Sequence, residues 1–170
     1  MAPNLTFLKI YGIIYIENEK GALTMNALEK LLREEGFTCK VDFTKDDFGY
    51  DWDKDILYVG APVEPELEMW FVQFLHEYGG DVRGVDYAVL PLLHELGHVS
   101  TVKWFSEAEL FSFHVFKTIN NAVDDADYGV AVRYWECEDE FVANLWVIDY
   151  IFQNFERVSA LAAALHEARG

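Results

Sequence analysis

Along the chain, apolar positions first come in strand-like runs and later return at helical spacing. Thr6 to Glu17 (TFLKIYGIIYIE) is a β-branched and aromatic run that predicts a strand. Met25 to Glu35 carries Leu28, Leu31 and Leu32 on one stripe and predicts a helix, followed by strands at Phe37 to Phe43 and Asp55 to Gly60. After Pro62 the period changes. Leu67, Trp70, Phe71, Phe74 and Leu75 form one helical face, ended by Gly79-Gly80. A second helix runs from an N-cap at Asp86 through Val89, Leu90, Leu93 and Leu96 to about Val99. Ser106-Glu107-Ala108-Glu109 has the form of a capping box and opens a third helix, through Phe113 and Phe116 towards Asn121. Helices Glu136 to Asn154 and Arg157 to Arg169 follow.

The change near residue 62 reads as a change of layer within one domain spanning 1–170, because no repeat, low-complexity tract or linker separates the two parts. The fold class is therefore α+β, with a small N-terminal sheet packed on the Asp86 to Val99 helix and further helices after it. Hydrophobic residues make up 52% of the 170 positions, enough for a core without covalent support.

Charge narrows the partners. Thirty Asp and Glu face 13 Lys and Arg, a net charge of −17, which excludes phosphate-directed nucleic-acid binding and disfavours an anionic membrane surface. The acids gather at Asp46 to Asp55 (DDFGYDWDKD), Asp124 to Asp127 and Glu136 to Glu140, and read as a solvated surface that is also able to attract a basic partner. Cys39 and Cys137 stand alone, without a CxxC pattern, as in a protein of the reducing cytoplasm. The run Leu5 to Ile16 is interrupted by Lys9, lacks a basic leader and is shorter than the ~20 residues a membrane span requires.

The chemistry is concentrated in His94-Glu95-Leu96-Gly97-His98. Residues four apart on a helix lie one above the other, so both imidazoles can point at one Zn2+. Glu95 stands beside them, placed to take a proton from an activated water as general base and to pass it to a leaving group. Gly97 costs up to ~1 kcal/mol of helix propensity, which points to a close contact with another helix or with substrate. The apolar flanks Val89, Leu90, Leu92, Leu93 and Leu96 favour metal, because buried unpaired imidazoles are costly.

A catalytic zinc takes a third protein ligand and keeps one position open. The extended HExxHxxGxxH form is excluded by Thr101 and Trp104 at its glycine and third-histidine positions. The candidates are a glutamate on a later helix or His114. Glu140 and Asn144 share a face with the small Ala143 and with Val147, a face able to approach the histidine helix, and Asn144 can accept the ring N–H of a ligand histidine. Glu138 competes, since it falls within the stripe Phe141, Val142, Leu145 and Ile148 and can also point inward. Glu140 is preferred for its small neighbours.

His94-Glu-Leu-Gly-His98 followed by Glu140-x-x-Ala143-Asn144-x-Trp146-Val147 resembles the glutamate-zincins, particularly the small ImmA/IrrE-like and phage-encoded peptidases. Val147 stands where that family has alanine, and Asn144 where several members have Asp. The resemblance covers residues 86–104 and 134–152. It implies a zincin-like fold, zinc held by His94, His98 and Glu140, and hydrolysis of peptide bonds with Glu95 as general base. His114 follows His98 at a spacing similar to that of the third histidine of SprT-like proteases, but Phe111, Phe113, Val115 and Phe116 around it read as the setting of a packed histidine. Tyr134 and Trp135 read as core or rim aromatics, Glu136 as a first-turn acid and Cys137 as inert.

The substrate class is a peptide or protein, added to an edge of the sheet, with basic segments favoured by the acidic surface. The alternative is a non-catalytic acidic interaction protein on the same fold, binding a regulator or host protein or mimicking a polyanion. Retention of Glu95 argues against it, since structural zinc needs no general base.

Overall fold

The computed structural model describes residues 26–121 and 127–169, so the strand expected at Thr6 to Glu17 lies outside the described residues. Helix α1 (Ala27–Glu34) begins with a reciprocal cap, in which the Glu29 amide donates to Asn26 Oδ1 at 2.8 Å and the Asn26 amide to Glu29 Oε2. It buries Leu28 and Leu32. Strands β1 (Lys40–Asp42), β2 (Gly49–Asp51) and β3 (Ile56–Tyr58) form a sheet in the order β1-β3-β2, with β1 parallel and β2 antiparallel to β3. Val41 and Leu57, opposite one another in the β1–β3 register, enter the core.

Asp46, Asp47, Asp53 and Asp55 are exposed, in keeping with the reading of this run as solvated surface, but strand β2 also runs through it. Phe48, Tyr50 and Trp52 alternate with the acids at period two, and Phe48 and Tyr50 pack on the core while Trp52 stays exposed. The acids mask this short alternation. Among the described residues strand β2 forms one edge of the sheet, and it lies against the helix that carries His94 and His98.

Helix α2 (Pro65–Glu77) opens with proline, whose missing N–H would be unpaired there in any case, and ends before Gly79 at φ +87°. The next helix starts differently from expectation. Asp86 does accept a backbone N–H, from Ala88, but it caps a 3₁₀ turn, Tyr87–Val89, and α3 proper is Leu90–Thr101. Pro91 in the first turn explains the change, since it has no N–H to continue the preceding turn. Leu90, Leu92, Leu93 and Leu96 are fully buried.

Ser106 and Glu109 cap α4 (Glu107–Asn121) reciprocally, as their spacing predicts. Helix α5 (Tyr128–Trp135) was not expected, because YGVAVRYW is rich in strand-forming residues. Its one local signal is Asp127, whose carboxylate accepts the Val130 amide at 2.8 Å. Helix α6 (Glu138–Gln153) begins two residues later than its sequence reading. Glu136 thus ends α5 and accepts a hydrogen bond from the Tyr78 hydroxyl, rather than standing in the first turn of α6. Its buried face is Asp139, Glu140, Ala143, Asn144, Val147 and Ile151, displaced from the expected Phe141/Val142/Leu145/Ile148 stripe; Leu145 is exposed. Helix α7 (Phe155–Arg169) packs on α1 and is pinned by Arg157 to Glu35 and by Arg169 to the Gly60 carbonyl.

The described residues thus form a largely helical α+β structure with a small sheet. No helix among them is long and apolar enough to cross a membrane. Both cysteines are free and buried.

Helices α3 and α6 make the most extensive contact between elements, and Gly97 sets their distance. A β-carbon at Gly97 would lie 2.6 Å from the Ala143 carbonyl oxygen and 3.1 Å from its Cα, inside van der Waals contact. Propensity alone would make Gly97→Ala stabilising by up to ~1 kcal/mol. Overpacking against backbone should reverse the sign, with a net loss of roughly 1–3 kcal/mol and a fall of several degrees in Tm. Thermal unfolding that shows Gly97→Ala more stable than the parent would reject this packing.

Candidate metal centre

The α3–α6 contact brings three donor atoms together. His94 Nε2 lies 2.9 Å from Glu140 Oε2, His98 Nε2 lies 3.3 Å from the same oxygen, and the two Nε2 atoms are 3.2 Å apart. These residues form a group with one ligand atom each that could hold a metal ion. His94 Nδ1 donates to Asn144 Oδ1 at 2.8 Å, which leaves Nε2 of the neutral ring with its lone pair facing the other two donors. Glu140, only 1% exposed, points inward, whereas Glu138 is exposed and faces away.

Electrostatics at this point call for positive charge. Burial opposes a charged His94, yet hydrogen bonding to Glu140 and its negative charge prevail and raise the histidine to about 9. Burial likewise opposes ionisation of Glu140, but His98 and His94 hold its carboxyl well below the usual range. The other Glu140 oxygen, Oε1, accepts from Lys117 Nζ at 2.6 Å, and the same ammonium reaches Asp139 Oδ2 at 2.7 Å. Two carboxylates thus share one ammonium, and Glu95 lies half-buried at the same cleft.

The donors fit a divalent metal. Four tetrahedral ligands at roughly 2.0–2.1 Å from zinc stand roughly 3.3 Å apart, close to the separations of 2.9 to 3.3 Å here. Three lone-pair atoms this close repel unless a cation stands among them, and a single proton satisfies only one pair. Two imidazoles and a carboxylate are a common zinc donor set, and the hydrogen bond from His94 to Asn144 fixes ring orientation.

Two cavities flank the cluster, and Glu95 lines both. One, of about 270 Å³, runs from His98 past Lys117, His114 and Tyr134 to Phe48, Gly49, Tyr50 and Trp52 of the β2 region. The other, of about 220 Å³, is more apolar, with Val63, Leu67, Phe71, Leu90 and Trp135 on its walls. Phe48 and Tyr134 stand between the two.

The sequence reading differs here at His114. His114 is not packed: Phe111, Val115 and Phe116 point outward to solvent, and the exposed His114 lines the larger cavity away from the three donors. Tyr134 packs against the core and lines the cleft, within its reading as a core or rim aromatic, and burial followed by the charges of Glu140, Glu95 and Asp139 pushes its hydroxyl far up, so it stays a neutral donor. Cys137 is inert as read: Lys117 pulls its thiol down, but burial and Asp139 prevail and push it up to about 11. Lys117 itself was missed, since a single lysine on an aromatic-rich helix carries no pattern.

Comparison of the chain with protein-family models, with curated proteins and with solved structures finds no match.

A pH dependence follows for protein stripped of metal by a chelator. The raised His94 contributes stability that is complete below its unfolded value near 6.5 and is lost as pH rises through about 9. Glu140, whose carboxyl is depressed, contributes stability present above the ordinary carboxylate range and lost as pH falls through its lower folded value. Denaturant unfolding of the chelated protein between pH 6 and 10 should show a decline on the alkaline side that His94→Gln abolishes. An unchanged alkaline profile in that variant would contradict the coupling.

Proposed function

We propose that the protein is a zinc-dependent peptidase of zincin type, in which His94, His98 and Glu140 hold the ion and Glu95 is the general base. The observation that carries this reading is the convergence of three lone-pair donors within 3.3 Å at a cleft that Glu95 also lines. When bound, zinc supplies Lewis acidity, polarising a scissile carbonyl and lowering the pKa of water.

The remaining chemistry falls to the chain's own residues. Glu95 lies one position along the helix from His94, offset by about 100°, so it faces the cleft beside the donors rather than joining them. It takes the proton from the attacking water and returns it to the departing amine. Asn144 holds the His94 ring in one tautomer. Tyr134, kept neutral by its acidic neighbours, offers a hydroxyl to the oxygen that gains charge at the carbonyl.

Peptide is the favoured substrate for a structural reason. Among the described residues, β2 pairs only with β3, and Phe48, Gly49, Tyr50 and Trp52 in and around it line the larger cavity. An extended chain can pair with that edge and lie across the donors. The acids of Asp46 to Asp55 favour basic residues on the substrate.

Native protein should contain about one zinc per chain by elemental analysis, and chelation should lower Tm, since the metal binds only the folded arrangement. Glu95→Gln should keep the metal and the fold but lose turnover by roughly 100-fold to 10,000-fold on a peptide that the parent cleaves. Equal turnover would reject the mechanism. A zinc-loaded parent that cleaves nothing in a diverse peptide library would favour the interaction-protein reading instead.

A further inference from the structure

Lys117 contacts the proposed centre from a different helix, and no step of the mechanism above uses it. Its side chain is 19% exposed, and its ammonium lies 2.6 Å from Glu140 Oε1 and 2.7 Å from Asp139 Oδ2. Burying an ammonium is costly unless it is paired, and here two carboxylates on α6 pair with one lysine from α4. Glu140 is therefore divided: Oε2 faces the two histidines and Oε1 faces Lys117.

We infer that Lys117 is a positioning residue that restricts Glu140 to one ligating oxygen and so keeps a coordination position open for the reaction. The inference rests on the metal reading above. A free carboxylate can ligate through both oxygens. For Glu140 to do so, Oε1 would have to turn to the ion and carry the ammonium up against a divalent cation. Asp139 also holds the Lys117 ammonium, at 2.7 Å, and opposes its retreat. With one oxygen engaged, the protein supplies three donor atoms and leaves a fourth tetrahedral position, the difference between a catalytic and a closed structural zinc site. Removing the ammonium frees Oε1, and the uncompensated charge of Asp139 beside it increases the pull towards the cation.

Cobalt(II) in place of zinc reads this directly, because four-coordinate cobalt has intense visible bands and five- or six-coordinate cobalt much weaker ones. Full-length parent and Lys117→Arg should bind one cobalt per chain with intense bands. Lys117→Met should bind one cobalt with bands several-fold weaker, and X-ray absorption of its zinc form should show an added oxygen neighbour. Should Lys117→Met not accumulate, Lys117→Met/Asp139→Asn removes one acid with the lysine and carries the same comparison. Unchanged intensity in whichever Met variant is measured would overturn the inference, as would weak bands in the parent, with the metal reading left intact. A parent that binds neither cobalt nor zinc would overturn both.

Discussion

The absence of a side chain at Gly97 is the constraint on which the rest of this structure depends. It lets the α3 and α6 backbones approach until only a glycine fits opposite Ala143. At that distance Glu140 reaches His94 and His98, and Asn144 reaches the far side of the His94 ring. Ala143 and Asn144 lie on the same α6 face as Glu140, so one helix packing fixes both the carboxylate and the hydrogen bond that orients its partner. Displacement by the width of one methyl group would separate the donors beyond any shared ion.

What the sequence made legible follows from how many residues share each signal. His94 and His98 are recognisable because their spacing matches one helix turn, and Leu90, Leu92, Leu93 and Leu96 mark the buried side of that turn. Glu140 is recognisable through the small residue beside it, although the apolar residues of α6 pointed to another face. That face was misjudged because the buried surface of α6 is itself polar: it carries Asp139, Glu140 and Asn144. Hydrophobicity cannot locate a stripe whose members are buried for their charge.

Other features rest on pairings that no local pattern encodes. Lys117 meets its carboxylates across 22 and 23 positions of sequence, and β2 exists because Tyr50 finds Leu57 across a ladder. Helix α5 overrides the strand preference of its own residues, since Trp135 is buried there against Phe71 and Phe74. His114 was misjudged by its setting, because a helix can present aromatic residues to solvent on the side away from its packing contacts.

The edge formed by β2 also bears on how copies of this protein treat one another. An unpaired strand is a template for any extended chain, including the same strand of a second molecule. Here the strand, an edge among the described residues, is three residues long, ends in Asp51 and is bordered by Asp46, Asp47 and Asp53. Two such edges brought together would set like charges opposite each other, a cost that a basic or neutral peptide does not meet. The acidity that the proposed function uses to favour a basic guest strand would thus discourage self-association, at concentrations where a bare edge would aggregate.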